Sequence, residues 1–196
     1  FERIWDAQVL MFDYHANLVA EHYFASPWYE WPLIVKPMWY YQADFKGAGM
    51  ASSILAFGNP AVWWTGLAGI LFMLGYSVYR NLLPAAGVIA GREDEDDRRL
   101  PVIVVCFLSA YLPWVLVSRL TFIYHYFASV PWIIIATALG LKYMARHRRK
   151  TAIALGTILA VAALALFILF YPLASGMEVP RAWCDAAAWF DGWMWY

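Results

Sequence analysis

Residues 151–174 read TAIALGTILAVAALALFILFYPLA, an unbroken run without an Asp, Glu, Lys or Arg. A helix needs about 20 apolar residues to cross about 30 Å of hydrocarbon, and no soluble core requires so long a run. Three further charge-free stretches, residues 60–79, 100–118 and 120–141, have the same character. Together they predict four transmembrane helices. Pro113 and Pro131 lie inside two of them and predict kinks, which a bundle tolerates where neighbouring helices satisfy the freed carbonyls. The composition agrees: 63% of the 196 residues are hydrophobic and 14% charged, against about 25% charged in a soluble domain. The expected fold class is an all-α integral membrane protein.

Working outward from these spans, the basic residues set the topology. Arg80, Arg92, Arg98 and Arg99 follow the first span; Lys142, Arg146, Arg148, Arg149 and Lys150 follow the third. The positive-inside rule puts both groups on the cytoplasmic face. Three regions result: an extracytoplasmic segment 1–59, a four-helix bundle 60–174 and an extracytoplasmic amphipathic tail 175–196. In the first, apolar residues at helical spacing (Ile4, Trp5, Val9, Phe12, Leu18) alternate with Glu2, Asp6, Asp13 and Glu21, a pattern suited to a helix lying in the interface. Residues 42–58 read as loop, and Asn59-Pro60 as the cap and first turn of the first span. In the tail, Trp189, Trp193 and Tyr196 share a helical face and predict a second interfacial helix.

The aromatic residues make up 19% of the chain. Trp5, Trp28, Trp31 and Trp39 precede the first span, Trp63 and Trp64 open it, Trp114 closes the second, and Trp183, Trp189, Trp193 and Trp195 follow the fourth; Trp132 falls midway along the third. Ordinary aromatic belts form at both membrane faces. A bias to one face instead predicts a thick aromatic layer on the outer leaflet.

Within that layer, residues 21–32, EHYFASPWYEWP, contain Pro27 and Pro32 and cannot form a continuous helix. Such a loop suits a platform: Trp28 and Trp31 stack a sugar or acceptor while His22 and Glu30 hydrogen-bond its hydroxyls. A structural plug of the bundle is the competing reading. Arg119 sits between the second and third spans in a turn too short to leave the membrane surface, followed by His125. Guanidinium matches phosphate in bidentate geometry, and ionisable groups at membrane depth are functional candidates; the competing readings are an Arg snorkelling to ordinary lipid and a packed histidine. The run 92–99, REDEDDRR, contains Asp-x-Asp spacing but no flanking strand or Gly-rich turn, which favours a solvated linker over a metal and sugar-nucleotide site. Zero net charge excludes the footprint of a nucleic-acid binder. Cys106 in a span and Cys184 outside it are not expected to pair. No phosphate loop, metal-spaced His/Cys set or nucleophile triad appears. Phe1 in place of an initiator Met reads as the start of a fragment.

Several of these elements, taken together and in order, resemble the C-terminal four-transmembrane region of the protein O-mannosyltransferases. They are HYFASPWYEWP at 22–32, Gly58-Asn59-Pro60 with Trp63-Trp64, RLTFIYHYF at 119–127 and YPLASG at 171–176. Ala128 departs from the pattern, which has proline there. The resemblance implies a GT-C-type inverting glycosyltransferase that moves mannose from a polyprenyl-phosphate carrier to Ser or Thr hydroxyls of secreted proteins. It implies a catalytic acidic pair in the N-terminal half, which this chain lacks, so the fragment alone is expected to be inactive and Glu2, Asp6, Asp13, Glu21 and Glu30 are not assigned the base. Charge at membrane depth and the resemblance together assign Arg119, His125, Tyr126 and His22 to the lipid phosphate. No cofactor is expected, the lipid-linked sugar being substrate. The expected partners are that donor, a Ser/Thr-bearing acceptor protein, membrane lipid and the N-terminal half. The alternatives are a non-catalytic module for subunit assembly and a transferase acting on a glycolipid or wall polymer. The Ala-rich chain points to a bacterial plasma membrane, aromatic side outward, with the endoplasmic reticulum as the other location.

Overall fold

The computed structural model describes residues 2–16, 20–43, 47–83, 86–87 and 99–195. The acidic run at 92–98 lies outside them. Helices dominate: α1 (Glu2–Ala16), α2 (Pro60–Ser77), α3 (Arg99–Tyr111), α4 (Val130–His147), α5 (Arg149–Ser175) and the short α6 (Arg181–Ala187). Among the described residues three helical segments are long and apolar enough to cross a membrane: Pro60–Arg80, Ile123–His147 and Arg149–Ser175. The apolar segment of the second expected span, Pro101–Leu116, is shorter. The chain is a mostly helical, multi-pass membrane protein.

Local chemistry explains where each helix begins and ends. Asn59 caps α2, its side-chain oxygen accepting from the N–H of Ala61 at 3.0 Å, and Pro60 takes the first turn, where its missing N–H costs nothing. The Asn59 amide also donates to the Ala163 carbonyl at 2.8 Å, tying α2 to α5. The expected kinks do not form. Pro113 cannot donate to the carbonyl four residues back, so α3 ends at Tyr111 and tightens into a 3₁₀ turn, Leu112–Leu116. Pro131 falls in the first turn of α4, which needs no N–H there. Trp132 lies in the first turn of α4 and is the tenth residue of the 25-residue apolar segment Ile123–His147.

The basic cluster after the third span is helix and not loop. Only Arg148 separates α4 from α5, its N–H donating to the Met144 carbonyl at 2.8 Å. Lys142 and Arg146 continue the helix because long cationic side chains reach the headgroups from a helical backbone. At this inner end Phe72, Tyr76 and Tyr143 cluster, with Arg80 over Tyr76 and Arg146 over Tyr143.

Small residues set the α2–α4 contact. A Cβ on Gly66 would lie 2.7 Å from Ile133, and one on Gly69 would lie 3.1 Å from the Thr137 Cα. In lipid, where apolar tails give helices little hydrophobic reason to associate, close backbone approach supplies the dispersion contact.

Outside the bundle the structure departs from an all-α reading. The segment 42–58, expected to be loop, forms β2 (Met50–Ala51) and β3 (Ser53–Ala56), and β1 (Met38–Gln42) precedes it; β1 pairs antiparallel with β3, with an irregularity between Trp39 and Tyr41, and β2 pairs with β4 (Val179–Pro180). Further bonds join these ribbons to the end of α5: Gly176 N to the Ser53 carbonyl, Ser52 Oγ to the Gly176 carbonyl, and Gly47 N to Glu178 Oε1. The second interfacial helix is also corrected. The tail is helical only over α6; beyond Ala188 it turns inward and buries Trp193 and Trp195, each 2% exposed. A helix would have set Trp193 on an outward stripe with Trp189, whereas here Trp193 Nε1 donates to the Ile34 carbonyl at 2.6 Å. α1 remains exposed, Trp5 at 70% and Phe12 at 73%.

Candidate functional site

Two segments far apart in sequence meet at the end of the bundle where α2 and α4 begin. One is the loop 20–36, whose Trp28–Leu33 forms a 3₁₀ turn; the other runs from residue 117 through the 3₁₀ turn Ile123–Ser129. They are locked by a reciprocal pair of bonds: Ser26 N donates to the Thr121 carbonyl at 2.9 Å, and Thr121 Oγ1 donates to the Ser26 carbonyl at 2.8 Å. Both residues are buried, so neither polar pair competes with water. Trp31 Nε1 adds a bond to the same Ser26 carbonyl at 3.0 Å.

This lock gathers the candidates. His22 is exposed, its Nδ1 accepting from the Phe24 N–H at 3.2 Å and its ring set edge-on to Phe122 at 5.1 Å. His125 approaches the same Phe122: its Nδ1 accepts from the Phe122 N–H at 3.0 Å. The nitrogen also lies 2.9 Å from the Phe122 carbonyl, a bond it makes only when protonated. The imidazole lies beside Trp114 at 4.2 Å and stacks on Trp31 at 5.7 Å. Arg119 is half-buried in the extended segment between the two 3₁₀ turns, and its charge reaches the His125 ring. Beside them Tyr40 of β1 stacks on Tyr124; burial, and then the Tyr124 phenol, push the Tyr40 hydroxyl up from its ordinary value, which keeps it a protonated donor.

Two assignments do not survive the geometry. Trp31 has no exposed surface, its ring being covered by His125 and Trp114, so it cannot be an open platform for a sugar. Tyr126 is also fully buried, among Trp63, Phe107 and Tyr111, and has no surface with which to touch a lipid phosphate. Trp28 and Glu30 keep partly open side chains, Trp28 being anchored by Tyr111 Oη donating to its carbonyl at 2.8 Å. Ser26, Thr121 and Trp114 escaped the sequence reading. Small hydroxyls carry no long-range signal, although Ser26 before Pro27 marks a turn.

An apolar groove of about 500 Å³ runs along α3, lined by Val105, Leu108, Ser109, Leu112, Pro113 and Leu116, and its outer end lies three residues from Arg119. Among the described residues no three His, Cys, Asp or Glu side chains come together in a way that could hold a metal ion. Cys106 and Cys184 are both free thiols.

The family model for the C-terminal four-transmembrane region of protein O-mannosyltransferase matches residues 1–193. A polyprenol-phosphate-mannose–protein mannosyltransferase of Corynebacterium glutamicum is 24% identical, over 94% of this chain and 36% of its own. A dolichyl-phosphate-mannose–protein mannosyltransferase 5 of Candida albicans is 24% identical, over 98% of this chain and 28% of its own. The chain thus spans little more than a third of these relatives at most. The fold matches the Saccharomyces cerevisiae protein O-mannosyltransferase Pmt1–Pmt2 complex bound to the sugar donor, with a TM-score of 0.78 and 22% identity over 97% of this chain and 26% of that one. An apolar bundle whose outer end holds an arginine and two histidines against an aromatic loop, matched by this family model over nearly its whole length, belongs to the protein O-mannosyltransferase family, as its C-terminal four-transmembrane region.

Proposed function

We propose that this chain is the C-terminal membrane part of an enzyme that moves mannose from a polyprenyl-phosphate carrier to Ser or Thr hydroxyls of secreted proteins, its acidic pair residing in the N-terminal half. The observation that carries this reading is the Ser26–Thr121 lock, which holds His22, Arg119 and His125 in one neighbourhood. Transfer from a lipid phosphate needs a cation for the departing phosphate, donors that orient it and a channel for the tail. Arg119 supplies the cation. His125 and His22 orient phosphate or sugar, Trp28 and Glu30 border the sugar or acceptor, and the groove along α3, continuous with the Arg119 segment, takes the isoprenoid chain. Tyr126 acts as a packed support beneath them. No cofactor enters this scheme.

In the same reading, residues 1–59 and 175–196 form an outer layer over the bundle 60–174, with α1 lying in the interface. Pro101–Leu116 is the fourth crossing. Its sixteen residues, the last five of them 3₁₀, rise about 26 Å, short of a typical bilayer, so the crossing is completed by local thinning. A bacterial plasma membrane is the expected location.

The test uses the full-length enzyme and an acceptor peptide with polyprenyl-phosphate-mannose. Arg119→Ala is expected to cut turnover at least a hundredfold, and Arg119→Lys, which keeps charge but not the bidentate fork, about tenfold or more. Near-normal transfer by both variants overturns the phosphate role.

A further inference from the structure

A cavity of about 590 Å³ opens beside the start of α2, lined by Leu33, Val35, Trp64, Phe190, Asp191 and Gly192; Leu33 and Val35 belong to the loop 20–36, but His22, Arg119 and His125 do not line it. Its shape is fixed by the fold. Trp64 Nε1 donates to the Leu33 carbonyl at 3.3 Å, and Gly192 lies so close to the Val35 carbonyl that a Cβ there would come within 2.4 Å of the oxygen. Between these anchors Ile34 adopts a left-handed conformation, φ 57°, held by the bond from Trp193 to its carbonyl. The volume falls in the range of small-molecule sites, about 300 to 1,000 Å³.

Charge says what fits. The walls are apolar and aromatic except for the Asp191 carboxylate, which makes no hydrogen bond or ion pair with the described residues, and none of the six lining residues is a cation. A hydrocarbon alone would cover that carboxylate without giving it a partner. An anionic headgroup would meet like charge. A cation is favoured twice, by the carboxylate and by the aromatic faces of Trp64 and Phe190. Trp64 is the fifth residue of α2, one turn inside the helix.

We propose that this cavity binds the ammonium end of a phosphatidylethanolamine-class lipid, with Asp191 and the rings of Trp64 and Phe190 holding the ammonium and Leu33 and Val35 covering the first methylenes. Lys36, next in the chain to Val35 and set over the Tyr23 ring at 4.5 Å, is the cation placed to meet the lipid phosphate. The site stands apart from mannosyl transfer and holds whether or not that reaction is the right one.

Full-length protein in nanodiscs of equal phosphatidylethanolamine and phosphatidylglycerol, released and weighed by native mass spectrometry, tests it. Phosphatidylethanolamine is expected to be retained about fivefold over phosphatidylglycerol. Asp191→Asn, at an exposed position that should not disturb folding, brings the ratio to about one, and Phe190→Leu lowers it. A wild-type ratio near one, or a preference unchanged in Asp191→Asn, overturns the proposal. So does displacement of the lipid by a lysine-containing peptide from the wild type but not from Asp191→Asn, since the ammonium site would then serve a polypeptide.

Discussion

Thr121 carries more of the site than its size implies. Its hydroxyl and its carbonyl both engage Ser26, and with Trp31 on the same Ser26 carbonyl three polar contacts converge where water is excluded. Thr121→Val keeps the volume and removes the donor, leaving the Ser26 carbonyl with Trp31 alone. The expected cost is about 1 to 2 kcal/mol, read as a lowered Tm in detergent, together with reduced transfer in the full-length enzyme as His22 drifts from Arg119. Tyr126 makes the opposite case. Its hydroxyl is buried and has no partner among the described residues, so Tyr126→Phe removes a desolvated group without breaking a bond seen there and should leave Tm unchanged or raise it. A drop of several degrees would mean that a water or substrate group satisfies the hydroxyl. The position of Arg119 between two apolar segments was legible in the sequence because a charge there is conspicuous by itself. Trp31 was not: an indole in a proline-bounded loop reads the same whether its faces are open or, as here, covered by His125 and Trp114.

At the scale of elements, legibility follows how local the determinants are. α5 was visible because its apolar run is continuous, and the start of α2 because Asn59 and Pro60 act within one turn. The end of α4 was misread since a charge ends an apolar run without ending a helix. The β1–β3 ribbon was missed because its strands are short and meet only across intervening turns. Helix pairing depends on single glycines whose role composition cannot show. Within α2, Gly66 faces Ile133 at 2.7 Å from a would-be Cβ, whereas Gly75 faces open space. Gly66→Leu should force α2 from α4 and destabilise by about 1 to 3 kcal/mol. Gly75→Ala, in the same helix, should be neutral or stabilising by up to about 1 kcal/mol. Equal effects of the two on thermal unfolding would show that the α2–α4 contact does not limit stability.

At the scale of the molecule, α5 is the ruler. Its 27 residues rise about 40 Å, enough for the hydrocarbon core and both headgroup zones. Measured along it, the aromatic layer reaches below the end of α5. Trp183 donates to the carbonyl of Leu169, six residues or about 9 Å inside the end of α5, and Phe170 meets Phe57, Trp189, Trp193 and Trp195 at 4.9 to 6.3 Å. The tryptophans of the tail, Trp183, Trp189, Trp193 and Trp195, are therefore packed against the last turns of a candidate transmembrane helix and are not scattered over a surface. The opposite end of the ruler is the Arg148 hairpin, flanked by cations. This polarity has a direct test. In a background carrying Cys106→Ala and Cys184→Ala, Tyr29→Cys at an exposed site of the aromatic layer should react with a membrane-impermeant maleimide in intact cells, and Arg148→Cys only after the membrane is opened. Labelling of both from outside would refute the hairpin's cytoplasmic placement. Labelling of Arg148→Cys alone would invert the molecule and move the Arg119 site to the face where secreted acceptors are absent, removing the basis for its role in their modification.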